Sequence, residues 1–70
     1  MDIVRGLDAW GRLSMHASIL IRGSAYYPDL VAYRETLTEC VMLGLILTSD
    51  AEWRLTNAEN IYAANVSRLG

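Results

Sequence analysis

The chain is interrupted by turn-forming residues at only two places. The first runs from Gly23 to Pro28, which is the only proline, and the second comprises Thr48, Ser49 and Asp50. These interruptions separate three segments of about 20 residues, a length typical of helices in globular proteins. The sequence therefore predicts an all-α fold, a small three-helix domain with helices at about 2–22, 28–47 and 50–69, in a single helical domain of residues 1–70.

The first segment carries a stripe of mostly apolar residues at alternating spacings of three and four. It consists of Ile3, Leu7, Trp10, Ser14, Ala17 and Ile21, with Leu13 and Leu20 beside it. On a helix these positions share one side, so they are predicted to form the buried face. Gly23 follows the last apolar position and is expected to end the helix as its C′ residue.

The second helix is predicted to begin with Pro28 at its first position and Asp29 at the positive end of its dipole. Its buried stripe is predicted to comprise Leu30, Tyr33, Leu37, Cys40, Val41, Gly44 and Leu47. The opposite side is polar only as far as Glu39. Beyond that point the helix is apolar all round, at Met42, Leu43, Leu45 and Ile46. A strand over residues 40–48 is the alternative for so short an apolar run.

The third segment opens with the spacing of a capping box, in which the Ser49 hydroxyl and the Glu52 carboxylate satisfy free backbone amides. Its predicted buried stripe contains Ala51, Leu55, Ala58, Tyr62, Val66 and Leu69. Residues 48–50 do not strictly break a helix. A single bent helix over residues 28–69, which would make the fold a helical hairpin, is therefore the alternative.

Composition excludes several classes of protein. The chain has six Arg, no Lys and eight acidic residues, for a net charge of −2, and this balance argues against nucleic acid as a partner. One Cys and one His cannot form an intrachain disulfide or a standard zinc site. The longest apolar stretch is too short for a membrane span, and no secretory signal is recognisable. We expect a cytoplasmic protein without cofactor or membrane contact.

No pattern of catalytic residues emerges, so we expect that the protein is not an enzyme. Cys40 and His16 are the only Cys–His pair that could serve as nucleophile and base, and the periodicity places them on different faces of different helices. Glu35 and Glu39 lie one turn apart, which is typical of a solvated surface. We therefore assign no catalytic, cofactor-binding or metal-binding residues.

The apolar residues outnumber those that one small core can enclose. A chain of this size buries only about 60% of its unfolded surface. It usually needs disulfides, a metal ion or oligomerisation to be stable. A homodimer is therefore predicted. The candidate self-association residues are Met15, Ile19, Met42, Leu43 and Ile46.

The third helix also carries apolar residues outside its predicted buried stripe. Trp and Arg are typical anchors of interface hot spots, and Trp53 lies away from the predicted buried stripe with Arg54 next to it. The candidate partner interface comprises Trp53, Arg54, Asn57, Asn60, Ile61 and Ala64. Size and composition are typical of small phage or mobile-element proteins that bind a host protein. We expect a non-catalytic regulatory or inhibitory protein that binds and masks another protein.

Two alternatives remain. Three helices in 70 residues are compatible with a helix-turn-helix-like DNA-binding regulator. The third helix would then offer base-reading side chains, namely Arg54, Asn57, Asn60, Asn65 and Arg68. The chain could also be a structural small subunit of a larger assembly, since a half-helix that is apolar all round fits that role as well.

Overall fold

The computed structural model describes residues 3–70, which form three helices connected by short turns. The helices are α1 (Ile3–Ile21), α2 (Tyr27–Met42) and α3 (Thr48–Leu69). The central helix α2 packs against both neighbours, and the contact between α1 and α3 is the least extensive. The predicted three-helix domain is confirmed. The helical hairpin and the strand over residues 40–48 are wrong, because the chain turns between Met42 and Thr48 and residues 3–70 contain no strand.

The turn after α1 is built on Gly23, as predicted. Gly23 has a φ of 111°, in the left-handed region that glycine adopts without steric cost. Its amide donates to the Leu20 carbonyl at 3.0 Å, and the Ser24 amide donates to the Ile19 carbonyl at 3.3 Å. These two bonds are the Schellman pattern, which satisfies carbonyls that a helix end leaves free.

The second helix ends five residues earlier than predicted. Gly44 has a φ of 75°, its amide donates to the Val41 carbonyl at 3.0 Å, and the Leu45 amide donates to the Cys40 carbonyl at 2.9 Å. The same Schellman pattern therefore stops α2 at Met42. The residues after it pack against the core as a turn, so the predicted half-helix that is apolar all round does not exist.

The starts of α2 and α3 also differ from prediction by a residue or two. Tyr27 precedes Pro28 in α2, so the proline occupies the second position, while Asp29 lies in the first turn as expected. Helix α3 begins at Thr48 with Leu47 as its N-cap, and no side chain caps it. The Ser49–Glu52 capping box is therefore wrong, because the extended backbone that a cap requires lies at Leu47.

The core lies where α2 meets both neighbours. It contains Ala9, Leu13, Leu20, Leu30, Tyr33, Leu37, Cys40 and Ala58. The residues that α2 and α3 contribute to this core belong to the stripes predicted for those helices. The stripe of α1 is wrong in large part. Gly6 and Ala9 are buried, whereas Ile3, Leu7 and Trp10 are exposed, because the side of α1 that packs on the core carries these small residues beside Leu13 and Leu20.

Polar contacts also join the helices. The Arg12 guanidinium of α1 lies 2.9 Å from the Asp8 carboxylate and 2.8 Å from the Glu39 carboxylate of α2. The buried Asn65 amide of α3 donates to the Leu20 carbonyl at 2.8 Å and to the Ser24 carbonyl at 2.9 Å. The DNA-binding alternative requires an exposed Asn65, and the structure instead buries this residue, where it joins α3 to the end of α1.

Candidate functional site

A groove lies between α1 and α3, above the α2 side chain Tyr33. The two outer helices run parallel, since Trp10 lies beside Arg54 and Leu20 lies beside Asn65. The groove has a volume of about 190 Å³. Its lining is formed by Ala17, Leu20, Ile21, Tyr33, Trp53, Arg54, Asn57, Ala58 and Ile61. It is mostly apolar, with one cation at its edge.

That cation, Arg54, is held in place from two sides. Its guanidinium carbon lies 5.8 Å from the centre of the Trp10 ring, a cation–π distance. On the other side it approaches the hydroxyl of Tyr33, whose pKa is raised by burial and lowered in part by this positive charge. No carboxylate of residues 3–70 lies within 4 Å of the Arg54 guanidinium. Arg54 therefore presents a half-buried charge without an acidic partner.

Most of the predicted partner interface meets at this groove. Trp53 is 69% exposed at the rim, and Arg54, Asn57 and Ile61 line the groove with it. Ala64 lies in an adjoining hollow of about 240 Å³, which shares Ile21 and Ile61 with the groove. Asn60 is exposed on the same helix but lines neither space.

The predicted self-association residues do not form one surface. Met42 is 82% exposed and Met15 is also exposed. Ile19 is partly buried, and Leu43 and Ile46 are partly buried side chains that pack against the core. The last two were expected at a dimer seam because they were assigned to a helix. The turn at Gly44 directs them inward instead.

The residues that sequence reasoning missed lie on α1. Ile3, Leu7 and Trp10 form an apolar hollow of about 230 Å³ together with Gly6 and Leu45. Farther along the same flank, the exposed Ile21 borders the groove. A signal was present in the sequence, because α1 carries apolar or small residues on more of its circumference than one core contact requires.

The side chains considered for chemistry are not arranged as a reactive site. Cys40 is a free, buried cysteine in the core, as expected, and burial raises the pKa of its thiol. Glu39 is engaged by Arg12, and that hydrogen bond lowers its pKa. Within residues 3–70, no three His, Cys, Asp or Glu side chains come together as metal ligands.

Comparisons with protein-family models, with curated proteins and with solved structures found no match to this chain. Over the described residues, none of the helices combines the length and the apolar character that crossing a bilayer requires.

Proposed function

We propose that this chain is a non-catalytic regulatory protein that binds another protein and masks part of its surface. The observation that carries the proposal is the position of Trp53, a large side chain exposed at the rim of an apolar groove. Large exposed apolar patches on small proteins are typical of interaction sites. Trp53 and Arg54 are also the residue types that dominate binding energies.

The groove indicates the chemistry of the partner. Its walls are apolar at Ala17, Ile21 and Ile61, so the partner is expected to insert an apolar side chain. No carboxylate within the described part of the chain lies within 4 Å of Arg54, and a partly desolvated guanidinium forms strong paired hydrogen bonds with a carboxylate. We therefore expect an Asp or Glu of the partner beside that apolar anchor. Binding would act by steric exclusion, because a compact helical domain would cover whatever the partner surface otherwise contacts.

The two alternatives have less support. Of the five base-reading candidates, Asn65 is buried and both of its amide hydrogen bonds go to backbone carbonyls, which weakens the DNA-binding hypothesis. A structural subunit would also expose apolar surface, but it would be poorly folded in isolation. A cooperative thermal melt of the purified chain, followed by circular dichroism, would argue against that role. A cytoplasmic location and a homodimeric state stay predictions.

The proposal is tested by site-specific photocrosslinking in the host cell. A photoreactive residue is placed at Asn57 in the groove, and the control is the same residue at Glu59. Both positions are exposed, and two residues along a helix turn through about 200°, so they face nearly opposite directions. We expect a protein that is captured from Asn57 and not from Glu59. Equal capture from both positions, or none from Asn57, would contradict the proposed surface.

The captured protein is then purified and its affinity measured. We expect Trp53→Ala to weaken binding by about 2 kcal/mol or more, which is a loss of about 30-fold. Leu69→Ala is the matched control, since it also removes an exposed apolar side chain from α3 and is expected to leave binding unchanged. Equal affinities of the Trp53→Ala variant and the unsubstituted chain would contradict the role of Trp53 in binding the partner.

A further inference from the structure

One flank of α1, next to the side that packs on the core, repeats with the spacing of a coiled-coil seam. We define the α1 seam as Ile3, Leu7, Trp10, Ser14, Ala17 and Ile21. The intervals alternate between four and three residues over the whole helix, which is the a/d pattern by which one helix packs along another. The core contact of α1 uses other positions, chiefly Gly6, Ala9, Leu13 and Leu20. Helix α1 therefore has a second apolar flank. Ala17 on this flank is partly buried against the core and Trp10 lies against Arg54, while Ile3, Leu7 and Ile21 are left mostly exposed.

The seam is complementary to itself when a second copy runs in the opposite direction. In antiparallel coiled coils, a positions face d positions. With the midpoint near residue 12, Ile3 faces Ile21 of the other copy, Leu7 faces Ala17, and Trp10 faces Ser14. Each of the two inner layers thus joins a large side chain to a small one. Interdigitation of large and small side chains is what dense packing requires.

Charge and space favour the same arrangement. The seam contains no charged residue, so two identical copies meet without opposing like charges. Next to the seam, Gly11 has open space where a side chain would lie, which leaves room for another helix near the midpoint.

The area is sufficient for a stable pair. Ile3, Leu7, Trp10 and Ile21 are between 45% and 75% exposed. At about 200 Å² for a fully exposed large side chain, they supply roughly 500 Å² per copy. The smallest specific interfaces remove about 600 Å² from each partner. Ser14 and Gly11, which are also exposed, and the partly buried Ala17 supply the remainder.

From these observations we propose that the chain forms a homodimer by antiparallel pairing of α1 with α1 of a second copy, in the register that places Leu7 opposite Ala17. This interface replaces the one predicted at Met42 and Met15. It shares Ala17 and Ile21 with the groove beside Trp53, so a second copy and a partner would compete for that groove. The mass measurement tests the dimer alone, and the crosslinking experiment tests the masking function.

Native mass is the first test, measured by light scattering across a concentration series. We expect twice the 7.8 kDa of the single chain. Leu7→Glu is expected to halve that mass with unchanged helical circular dichroism, because Leu7 is mostly exposed in the monomer. Met15→Glu, an exposed position outside the seam, is the control and is expected to stay dimeric. A single-chain mass at every concentration would overturn the proposal.

Disulfide trapping tests the register. The double variant Leu7→Cys/Ala17→Cys is oxidised, free thiols are blocked, and covalent dimers are counted on a denaturing gel. Ten helical residues span about 15 Å, too far for a bond within one chain. We expect dimers from the double variant and none from either single variant. Linkage of the Leu7→Cys variant alone would indicate parallel pairing, and linkage only through Met42→Cys would place the interface on α2; both results would refute the proposal.

Discussion

The side-chain amide of Asn65 in α3 donates a hydrogen bond of 2.8 Å to the backbone carbonyl of Leu20 in the last turn of α1. The same nitrogen reaches the Ser24 carbonyl at 2.9 Å. Asn65 thus donates hydrogen bonds to backbone carbonyls at the end of a helix that lies 45 residues away in the sequence. Since α1 and α3 share the least extensive contact of the three helix pairs, this tie fixes the width of the groove between them.

Replacing Asn65 by Ala is expected to lower the free energy of unfolding by about 2–3 kcal/mol. Two hydrogen bonds of about 1 kcal/mol each are lost, and two carbonyls are left without this donor. The measurement is urea denaturation followed by circular dichroism at one fixed protein concentration. Asn60→Ala is the control on the same helix, and its exposed position predicts a change within about 0.5 kcal/mol. Equal stabilities of the two variants would contradict the assigned role of Asn65.

Gly44 is expected to be a position at which an added methyl group is unfavourable. Its φ of 75° places an L-residue in the left-handed region, at a cost of about 1–2 kcal/mol. We expect Gly44→Ala to lower stability by that amount and Gly44→Asn by less, because Asn tolerates this conformation. Nothing lies within 4 Å of a Cβ added at Gly44. A steric clash would therefore not explain a larger loss for the Ala variant than for the Asn variant.

The ion pair of Arg12 and Glu39 is expected to make stability depend on pH in the acid range. Arg12 lowers the pKa of Glu39 in the folded chain, so the pair contributes fully above the ordinary Glu pKa of about 4.3. Its contribution disappears as the pH falls through the lowered value. We expect Glu39→Gln to melt below the unsubstituted chain at pH 7, and the two melting temperatures to converge on acidification. Glu35→Gln, on the exposed side of α2, should show no such convergence.

The thiol of Cys40 is expected to react with a thiol reagent only when the fold opens. The residue is fully buried in the core, and burial raises its pKa, so little thiolate is present or accessible at neutral pH. The native chain should react slowly and the urea-unfolded chain at once. Destabilised variants such as Asn65→Ala should react faster, in proportion to their open population. Rapid labelling of the native chain would contradict the position of Cys40 in the core.

Periodicity in the sequence predicted the number and type of elements and much of the core. The stripe of α2 was correct at Leu30, Tyr33, Leu37 and Cys40, because the large side chains on that helix coincide with its buried face. The stripe predicted for α1 was wrong because hydrophobicity alone favours Leu7 over Gly6 as a buried residue. Close approach of two helices depends on small residues, and the periodicity of large apolar side chains does not reveal which small residues are buried.

The candidate site was predictable where it depends on residue type within one helix. Trp53, Arg54, Asn57 and Ile61 were chosen for their position outside the expected stripe of α3, and they do meet at one groove. The opposite wall at Ile21 could not be predicted, since it depends on how α1 is rotated. The end of α2 was missed because a glycine within an apolar run is compatible with both a helix and a turn.

Side chains of α3 support the turn between α1 and α2, and this has a consequence for synthesis. The Tyr62 hydroxyl donates to the Ala25 carbonyl at 3.2 Å, and its ring meets that of Tyr27 edge-on at 6.1 Å, next to the bonds made by Asn65. A nascent chain that has not yet added these residues lacks every one of those contacts, even though α1 and α2 are already complete. Residues 62–65 therefore have to be synthesised before the turn between α1 and α2 acquires these contacts.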